Sequence, residues 1–377
     1  MNDVSIVKCE DYSSENITKA FDELFELIGG LDWVKPDMKI VIKANLVTFL
    51  KPEAAATTHP ALLCELVKRL TEKGAKVVVG DSPGGIYNSL YVNRVYAATK
   101  MDEVKKYGGS LNENFEQSEA KFENGKVLKE FPYTSYLDDA DVIINFCKLK
   151  THGMMGMSAA VKNLFGVIPG IKKPEFHYRY PDHSDFANML IDLNEYFKPK
   201  LNIVDAVVGM EGNGPTAGTP RQIGVILASE NPYKLDLACA SIIGITKDDV
   251  PTLSESYKRG YIPESVDKLK INDDISKYYV SNYENILTHK ALSFENKETL
   301  FGRTATKLLQ ARPKLDKKEC VGCAKCAEVC PVKAIEIIDK KAKIDRKKCI
   351  KCFCCQEFCP KGAMKVKRTM LAKILTK

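Results

Sequence analysis

The chain has 377 residues, of which 45% are hydrophobic and 28% charged, a balance that is typical of a folded globular protein and excludes extensive disorder. No run is apolar for long enough to span a membrane, and residues 1–7 lack the features of a secretory signal, so we expect a cytoplasmic protein. The net charge of +7 is uneven. From Pro313 onward 18 Lys and Arg stand against 7 Asp and Glu, a net charge of +11 that leaves −4 for residues 1–312.

The basic C-terminal part predicts a partner of opposite charge. An acidic protein surface or a small anionic ligand would complement it, and a solvated lysine-rich surface is the alternative. We expect no nucleic acid partner.

Predicted elements alternate over the first two thirds of the chain. Runs of β-branched residues predict strands at 39–44, 76–80, 141–147, 201–204 and 224–228. Apolar periodicity predicts helices at 60–73, 185–197 and 233–243. Such alternation predicts an α/β domain over residues 1–312, with a mostly parallel sheet covered by helices. From about 248 to 318 the pattern weakens, which predicts irregular structure followed by a linker.

One internal repeat lies near the C-terminus. The run Cys320-Val-Gly-Cys-Ala-Lys-Cys-Ala-Glu-Val-Cys-Pro331 matches Cys349-Ile-Lys-Cys-Phe-Cys-Cys-Gln-Glu-Phe-Cys-Pro360. In such repeats three thiolates of one run hold one [4Fe-4S] cluster, and the fourth ligates the other cluster. The sequence therefore predicts two [4Fe-4S] clusters. Their ligands are Cys320, Cys323, Cys326 and Cys359 for the first, and Cys349, Cys352, Cys355 and Cys330 for the second. A pair of zinc knuckles is the alternative, but zinc sites take their four ligands as two pairs.

Residues 314–368 resemble the bacterial two-cluster ferredoxins, with every ligand position filled. The resemblance implies a small α+β domain over residues 313–377 that passes single electrons. Cys354, between two ligands, is an extra thiol. It could be redox-reactive or an alternative ligand, but we expect a passive neighbour.

Residues suited to ligand binding follow several predicted strands. Lys43 and Asn45 lie at the end of one of them and Asp81 directly follows another, where open α/β sheets bind ligands. The run Gly80-Asp-Ser-Pro-Gly-Gly85 would let a backbone approach a ligand closely, although it also fits a plain turn.

A second set of candidates follows the strand that is predicted to end at Cys147. Three lysines, a histidine and an amide lie there among glycines: Lys148, Lys150, His152, Lys162 and Asn163. They predict an anion site in which His152 transfers a proton, and a solvated loop is the alternative. Asp205 and residues 211–215 could close the same cleft.

Together these patches, over residues 38–245, resemble the family of domains of unknown function numbered 362, which is commonly fused to ferredoxin modules. The run 148–170 is the most specific part of this resemblance. It implies an α/β fold and no settled reaction.

More distantly, Thr58-His-Pro60 and the run from His152 to Lys162 resemble motifs of nickel-pincer lactate racemases. This resemblance implies that His59 and His152 transfer protons, that Lys162 contacts the cofactor, and that His177 or His183 lies beside the metal. Ala159-Ala160 stands where the racemases have two glycines, and we do not expect nickel. The alternatives are a helix-leading turn for His59, with Pro60 at the first helical position, and a surface loop for His177 and His183.

Three functions fit these features. The first is a ferredoxin-coupled oxidoreductase that delivers single electrons from a redox partner protein to a small anionic substrate or cofactor in the large domain. The second is a non-catalytic electron carrier or scaffold that docks a partner redox enzyme, since no flavin or nicotinamide fingerprint is found. The third is a racemase-like enzyme with regulatory clusters.

The C-terminal residues 366–377 form an amphipathic pattern with apolar residues on one helical face amid lysines. We expect this tail to dock on its own protein, and a membrane surface or a partner is the alternative.

Overall fold

A computed structural model describes residues 2–286 and 311–367. The strands of the large domain are β1 (Ser5–Lys8), β2 (Lys39–Lys43), β3 (Lys76–Gly80), β4 (Ser110–Leu111), β5 (Gln117–Lys121), β6 (Glu130–Thr134), β7 (Val142–His152), β8 (Gly156–Ser158), β9 (Leu201–Glu211) and β10 (Thr219–Ser229). Eight of them form one sheet in the order β1-β10-β9-β7-β2-β3-β4, with β8 paired to β7, while β5 and β6 form a separate hairpin.

The centre of this sheet is parallel. Strands β4, β3, β2, β7 and β9 run in one direction. Strand β10 pairs antiparallel with β9, and β1 pairs antiparallel with β10 at the edge of the sheet. The predicted α/β class with a mostly parallel sheet is confirmed.

Helices cover both faces of the sheet. They are α1 (Ser14–Leu27), α2 (Pro60–Glu72), α3 (Ser89–Ala98), α4 (Ala160–Asn163), α5 (Lys173–Arg179), α6 (His183–Phe197), α7 (Pro232–Ile242) and α8 (Pro251–Lys258). The first three share one hydrophobic core with the sheet, and α4 to α8 share a second core on the opposite face. Helix α2 shows why: its apolar positions recur every three to four residues, so they form one buried stripe.

Several predicted boundaries are wrong. The strands predicted at 201–204 and 224–228 are longer, Leu201–Glu211 and Thr219–Ser229. Strand β7 continues through His152, although a loop was predicted from Lys148 onward. Its polar residues predicted a loop, because the buried partners that stabilise them in a strand are distant in sequence. Helix α8 lies in the region that was predicted to be irregular. Its first residue, Pro251, has a fixed φ suited to a first helical turn.

The small domain consists of two short antiparallel pairs and two helical turns. Strand β11 (Arg312–Leu315) pairs with β14 (Met364–Lys367), and β12 (Ile335–Ile338) pairs with β13 (Lys341–Ile344). Helix α9 (Lys325–Glu328) lies in the first cysteine loop, residues 320–331, and α10 (Cys354–Glu357) lies in the second cysteine loop, residues 349–360. The predicted amphipathic tail lies outside the described residues from 368 onward. In the described ranges no helix is long and apolar enough to cross a membrane.

Candidate functional site

The order of the strands reverses between β2 and β7. From β2 the chain moves outward to β3 and β4, whereas from β7 it moves to β9 on the other side. Loops at the carboxyl ends of such neighbouring strands diverge and leave a crevice, which is where open α/β sheets bind ligands. Lys148, Lys150 and His152 alternate along β7, so they share one face of the strand. Several predicted site residues therefore meet at this crevice.

The first polar cluster in the crevice centres on Lys43. Its ammonium lies 2.7 Å from Asp81 Oδ1 and donates to Asn163 Oδ1 at 3.3 Å. Burial lowers the pKa of Lys43, and the Asp81 carboxylate opposes that effect. A Cβ atom on Gly166 would lie 2.2 Å from Asp81 Oδ1, so a side chain at this position would displace the ion pair. The charge of Lys43 is thus neutralised inside the protein.

A row of asparagines extends this cluster across the sheet. Asn163 Nδ2 donates to Asn145 Oδ1 at 2.8 Å, and Asn145 Nδ2 donates to Asn202 Oδ1 at 2.9 Å. Next to them, Asp236 accepts from the backbone N–H groups of Ala160 and Val161, while burial raises its pKa to about 7. These contacts fix the start of α4, which carries Lys162 and Asn163.

The second cluster joins Lys148 to Asp205, as a buried pair 2.6 Å apart. Tyr12 OH accepts from Lys148 at 2.8 Å and donates to Asp205 Oδ1 at 3.0 Å. His59 stacks on the Tyr12 ring with centroids 3.6 Å apart, and its backbone N–H donates to Asp205. Burial lowers the pKa of His59 to about 4. His59 also caps α2 ahead of Pro60, which confirms the helix-leading turn.

Lys150 lies between these clusters without a carboxylate among its hydrogen-bond acceptors. Its ammonium donates to Asn45 Oδ1 at 2.5 Å and to the Ala56 carbonyl at 2.7 Å. Burial, and then the nearby charge of Lys162, lower the pKa of Lys150 to about 7. This amine therefore exchanges a proton near neutral pH.

His152, at the end of β7, faces the small domain. Its Nδ1 accepts from the backbone N–H groups of Met154 and Met155 at 3.1 and 3.2 Å, so Nε2 carries the proton of the neutral ring. Nε2 lies 3.0 Å from Glu357 Oε1, although the two atoms are not aligned as a regular hydrogen bond. Burial, and then the charge of Lys162, lower the pKa of His152 to about 4.

Lys162 lies beside His152 and Glu357 in an enclosed space. Lys162, Lys173 and Glu357 are mostly enclosed by protein, yet each keeps some solvent-accessible surface; we call the space that borders these three side chains the cavity. Burial opposes ionisation of Glu357, but His152 and Lys162 outweigh it and hold the pKa of this carboxyl below its usual range. Burial lowers the pKa of Lys173 to about 7.

His177 completes this cavity and corrects the expectation of a surface loop. It lies in α5 with 2% of its surface exposed, stacked on Phe186 at a centroid distance of 4.4 Å. Burial lowers the pKa of His177 to about 3. His177 Nδ1, His152 Nε2 and Glu357 Oε1 are all buried without a regular hydrogen bond in the described structure, an arrangement that native proteins normally relieve with water or a ligand. His183 is the first residue of α6 and is partly exposed.

The second cysteine loop covers the cavity by docking on the large domain. Phe353 is 3% exposed and belongs to the same core as α4 to α8. Gln356 Nε2 donates to the carbonyls of Asn213 and Gly214 at 2.9 and 3.0 Å, and the Phe358 ring lies against Gly84. The glycine loops that were predicted to approach a ligand therefore contact the small domain.

The eight predicted cysteine ligands line two cavities. Cys320, Cys323, Cys326 and Cys359 line one, and Cys330, Cys349, Cys352 and Cys355 line the other together with Cys354. In the described ranges no three His, Cys, Asp or Glu groups converge at the spacing of a single metal ion. Each set of four thiols lines one pocket, and four thiolates are the donors that an iron-sulfur cube takes.

Several members of each cluster were predicted from the sequence, and others were missed. Tyr12, Lys173 and Glu357 were not predicted as site residues, and their roles depend on contacts across long stretches of chain. The predicted set divides in two, because His59 joins Lys148 and Asp205 whereas His152 joins Lys162 and Glu357. Cys354 is buried in α10 with Lys162 nearby.

Comparison with solved structures identifies distant neighbours. The lactate racemase apoprotein of Thermoanaerobacterium thermosaccharolyticum matches with a TM-score of 0.42 and 12% identity, over 65% of this chain and 58% of that one. A protein from Thermotoga maritima matches with a TM-score of 0.38 and 15% identity, over 62% and 60%. The chain thus spans less than two thirds of either structure.

Comparison with families and relatives is more specific. A thylakoid-associated protein of Synechocystis sp. is 30% identical over 271 residues, 70% of this chain and 81% of the relative. The 4Fe-4S dicluster domain matches residues 312–360, which gives the chain capacity for 4Fe-4S electron transfer. The domain of unknown function DUF362 matches residues 40–241. The chain therefore belongs to the DUF362 family.

Proposed function

We propose that this protein is a ferredoxin-coupled oxidoreductase with two [4Fe-4S] clusters, which delivers single electrons to a small anionic substrate or cofactor held in the large domain. Cys320, Cys323, Cys326 and Cys359 would hold the first cluster, and Cys349, Cys352, Cys355 and Cys330 the second. When bound, these groups supply one-electron transfer at a potential that the cluster surroundings set. The chain's own residues bind the ligand and exclude water.

The docked second cysteine loop carries this proposal. In this loop Cys354 lies near Lys162 and Cys352 lies near Glu357, so an electron leaving the loop has a short path to anything bound there. Phe353 and Gln356 fix the loop on the large domain. Such rigid contacts keep an electron-transfer distance constant.

The polar groups of the cavity support an anionic ligand. Lys162 and Lys173 bring amines to it, and His152 and His177 present buried nitrogens without regular hydrogen-bond partners. The neutral His152 ring presents its Nε2–H as a hydrogen-bond donor to a ligand. Lys43 and Lys148 are less suited to binding, because Asp81 and Asp205 already neutralise them.

The same internal pairs favour a second candidate, a non-catalytic electron carrier that docks a partner redox enzyme. Three of the predicted anion-binding lysines, Lys43, Lys148 and Lys150, are fully engaged by groups of the protein itself. Glu357 also brings a carboxylate of the chain to Lys162. In this alternative the cavity contains only water.

One experiment separates the two candidates. The full chain is purified without oxygen, its iron and sulfide are quantified, and acid extracts are analysed by mass spectrometry for a small anion. We expect about one anion per chain in the parent protein and at least a tenfold loss in Lys162→Gln, with unchanged iron. Lys68→Gln is the matched control, because Lys68 is exposed on α2, and it should retain the anion.

Absence of a stoichiometric anion from the parent protein would favour the carrier. A crystal structure of the oxygen-free protein would then show only solvent between Lys162, Lys173 and His177. Absence of bound iron would contradict both candidates.

A further inference from the structure

The two cysteine loops differ in their access to solvent. In the second loop Cys355 is buried, and Phe353 and Gln356 are held against the large domain. In the first loop Cys323 is exposed, and Val321 beside it is 58% exposed. An external electron carrier can therefore bring its own redox centre closer to the first ligand set than to the second.

The first loop lies at the centre of a surface with an apolar middle and a basic rim. Lys341 Nζ donates to the Cys320 carbonyl at 2.6 Å, which holds the β12–β13 hairpin beside the loop. Exposed Val321 and Ile338 form the apolar middle. The rim has five lysines, Lys317, Lys318, Lys340, Lys341 and Lys361, against two acidic residues, Glu319 and Asp339. We name these nine residues the cluster-1 face.

We propose that the cluster-1 face docks a one-electron donor protein whose redox centre is surrounded by acidic residues. This inference rests on the proposed two-cluster function. Apolar middles with charged rims are typical of specific protein interfaces, and opposite charges accelerate encounter. In each encounter the donor loses one electron and the group held by Cys320, Cys323, Cys326 and Cys359 gains it. No covalent bond forms or breaks. The electron then continues through the second ligand set to the cavity.

The repeat provides a matched control for this proposal. Lys317 and Lys318 lie just before Cys320, and Lys347 and Lys348 lie just before Cys349, one position closer to it. Asp316 and Asp345 occupy matching positions ahead of the two pairs. Asp316 accepts from the backbone N–H of Lys318, and Asp345 accepts from that of Lys347. Both lysine pairs are exposed. The same double change at either place therefore alters net charge equally and tests position alone.

The test compares the full-length variants Lys317→Glu/Lys318→Glu and Lys347→Glu/Lys348→Glu, each purified without oxygen with its iron content checked. The probe is a small acidic plant-type [2Fe-2S] ferredoxin. Its gallium-substituted, redox-inert form is titrated calorimetrically, and its reduced form is mixed by stopped flow while the loss of visible cluster absorption is followed. At low ionic strength we expect the first variant to bind about tenfold more weakly and to be reduced about tenfold more slowly. The second variant should change by less than twofold.

Three outcomes overturn the proposal: a larger loss in the Lys347/Lys348 variant, equal losses in both variants, or no loss in either. If charge reversal lowers the iron content, Lys317→Gln/Lys318→Gln replaces it, with about a threefold expected loss. The methyl viologen radical cation is a donor without acidic groups, and it should reduce every variant at least as fast as the parent. Failure of viologen to reduce any variant would contradict the proposed electron-transfer function and not the docking surface.

Discussion

The two cysteine loops arise from one repeat, but only the second is embedded in the large domain. Ala324, Ala327 and Val329 of the first loop correspond to Phe353, Gln356 and Phe358 of the second. Both Ala324 and Phe353 have a positive φ of 63° ahead of a helical turn, so the backbone is the same and the side chains differ. The first loop has small residues around its thiols, whereas the second has the side chains that dock on the large domain.

The acidic residue at the end of each helical turn shows the same divergence. Glu328 is exposed and pairs with Lys325 in its own helix. Glu357, at the matching position, lies 3.0 Å from His152 of the large domain. A single motif thus provides one glutamate that faces solvent and one that faces the large domain.

The largest expected effect concerns the crossing of ligands between the loops. Cys359→Ser should lower the iron content from about eight to about four atoms per chain, because it removes one ligand set. Adding Cys320→Ser should leave about four, since both residues belong to that set. Adding Cys349→Ser instead should leave almost none. Iron analysis and electron paramagnetic resonance of the reduced proteins check this, and the reverse pattern would mean that each loop holds its own cluster.

The next largest effect concerns Phe353, whose ring packs against the large domain. Phe353→Ala should lower the apparent free energy of unfolding by about 3 kcal/mol, because it removes a buried phenyl group and leaves a cavity. Ala324→Phe adds a ring at the matching position of the first loop. It should change the apparent free energy of unfolding by less than about 0.5 kcal/mol. Oxygen-free urea denaturation measures both. Equal effects would contradict the difference in packing between the loops.

A smaller effect concerns the paired glutamates. Glu357→Gln should cost about 2 kcal/mol, because the carboxylate lies buried between His152 and the Lys162 amine. Glu328→Gln should cost less than about 0.5 kcal/mol, because its ion pair is exposed. The same urea measurements decide this, and a Glu357→Gln protein as stable as the parent would show that the contact with His152 carries no net stabilisation.

The smallest expected effect is a pH dependence of stability. It arises from His152, which contacts Glu357 of the second cysteine loop. Because burial lowers the pKa of His152 from 6.5 to about 4, the unfolded chain binds a proton in this window that the folded chain does not. Stability therefore falls as pH drops, by about 1 kcal/mol from this residue between pH 7 and pH 5.5. His152→Asn should make the decline shallower by that amount. Urea midpoints across this range test it, and an unchanged slope would contradict a neutral, buried His152.

The iron-sulfur ligands could be predicted from sequence because their chemistry is local. Three thiols spaced three residues apart define each loop, and the repeat supplies the fourth. The strands β2 and β3 and the helix between them could also be predicted, since their hydrophobic periodicity depends on neighbouring residues. Their predicted bounds agree with Lys39–Lys43, Pro60–Glu72 and Lys76–Gly80 to within one residue.

The arrangement of the large-domain site could not be predicted in this way. Tyr12 contacts Asp205 across 193 residues, and no local pattern records such a pairing. The lysines of β7 predicted a loop because buried lysines are rare. Their burial in a strand is understood only from the partners that they contact. Most importantly, the sequence placed an external anion beside Lys162, and the structure places the carboxylate of Glu357 there. The ferredoxin-like part completes the site rather than merely following it.

Glu357 also couples the two domains. It lies two residues after Cys355, so the position of its carboxylate depends on the backbone of the second cysteine loop. Any change in that loop therefore moves a negative charge beside His152 and Lys162 of the large domain.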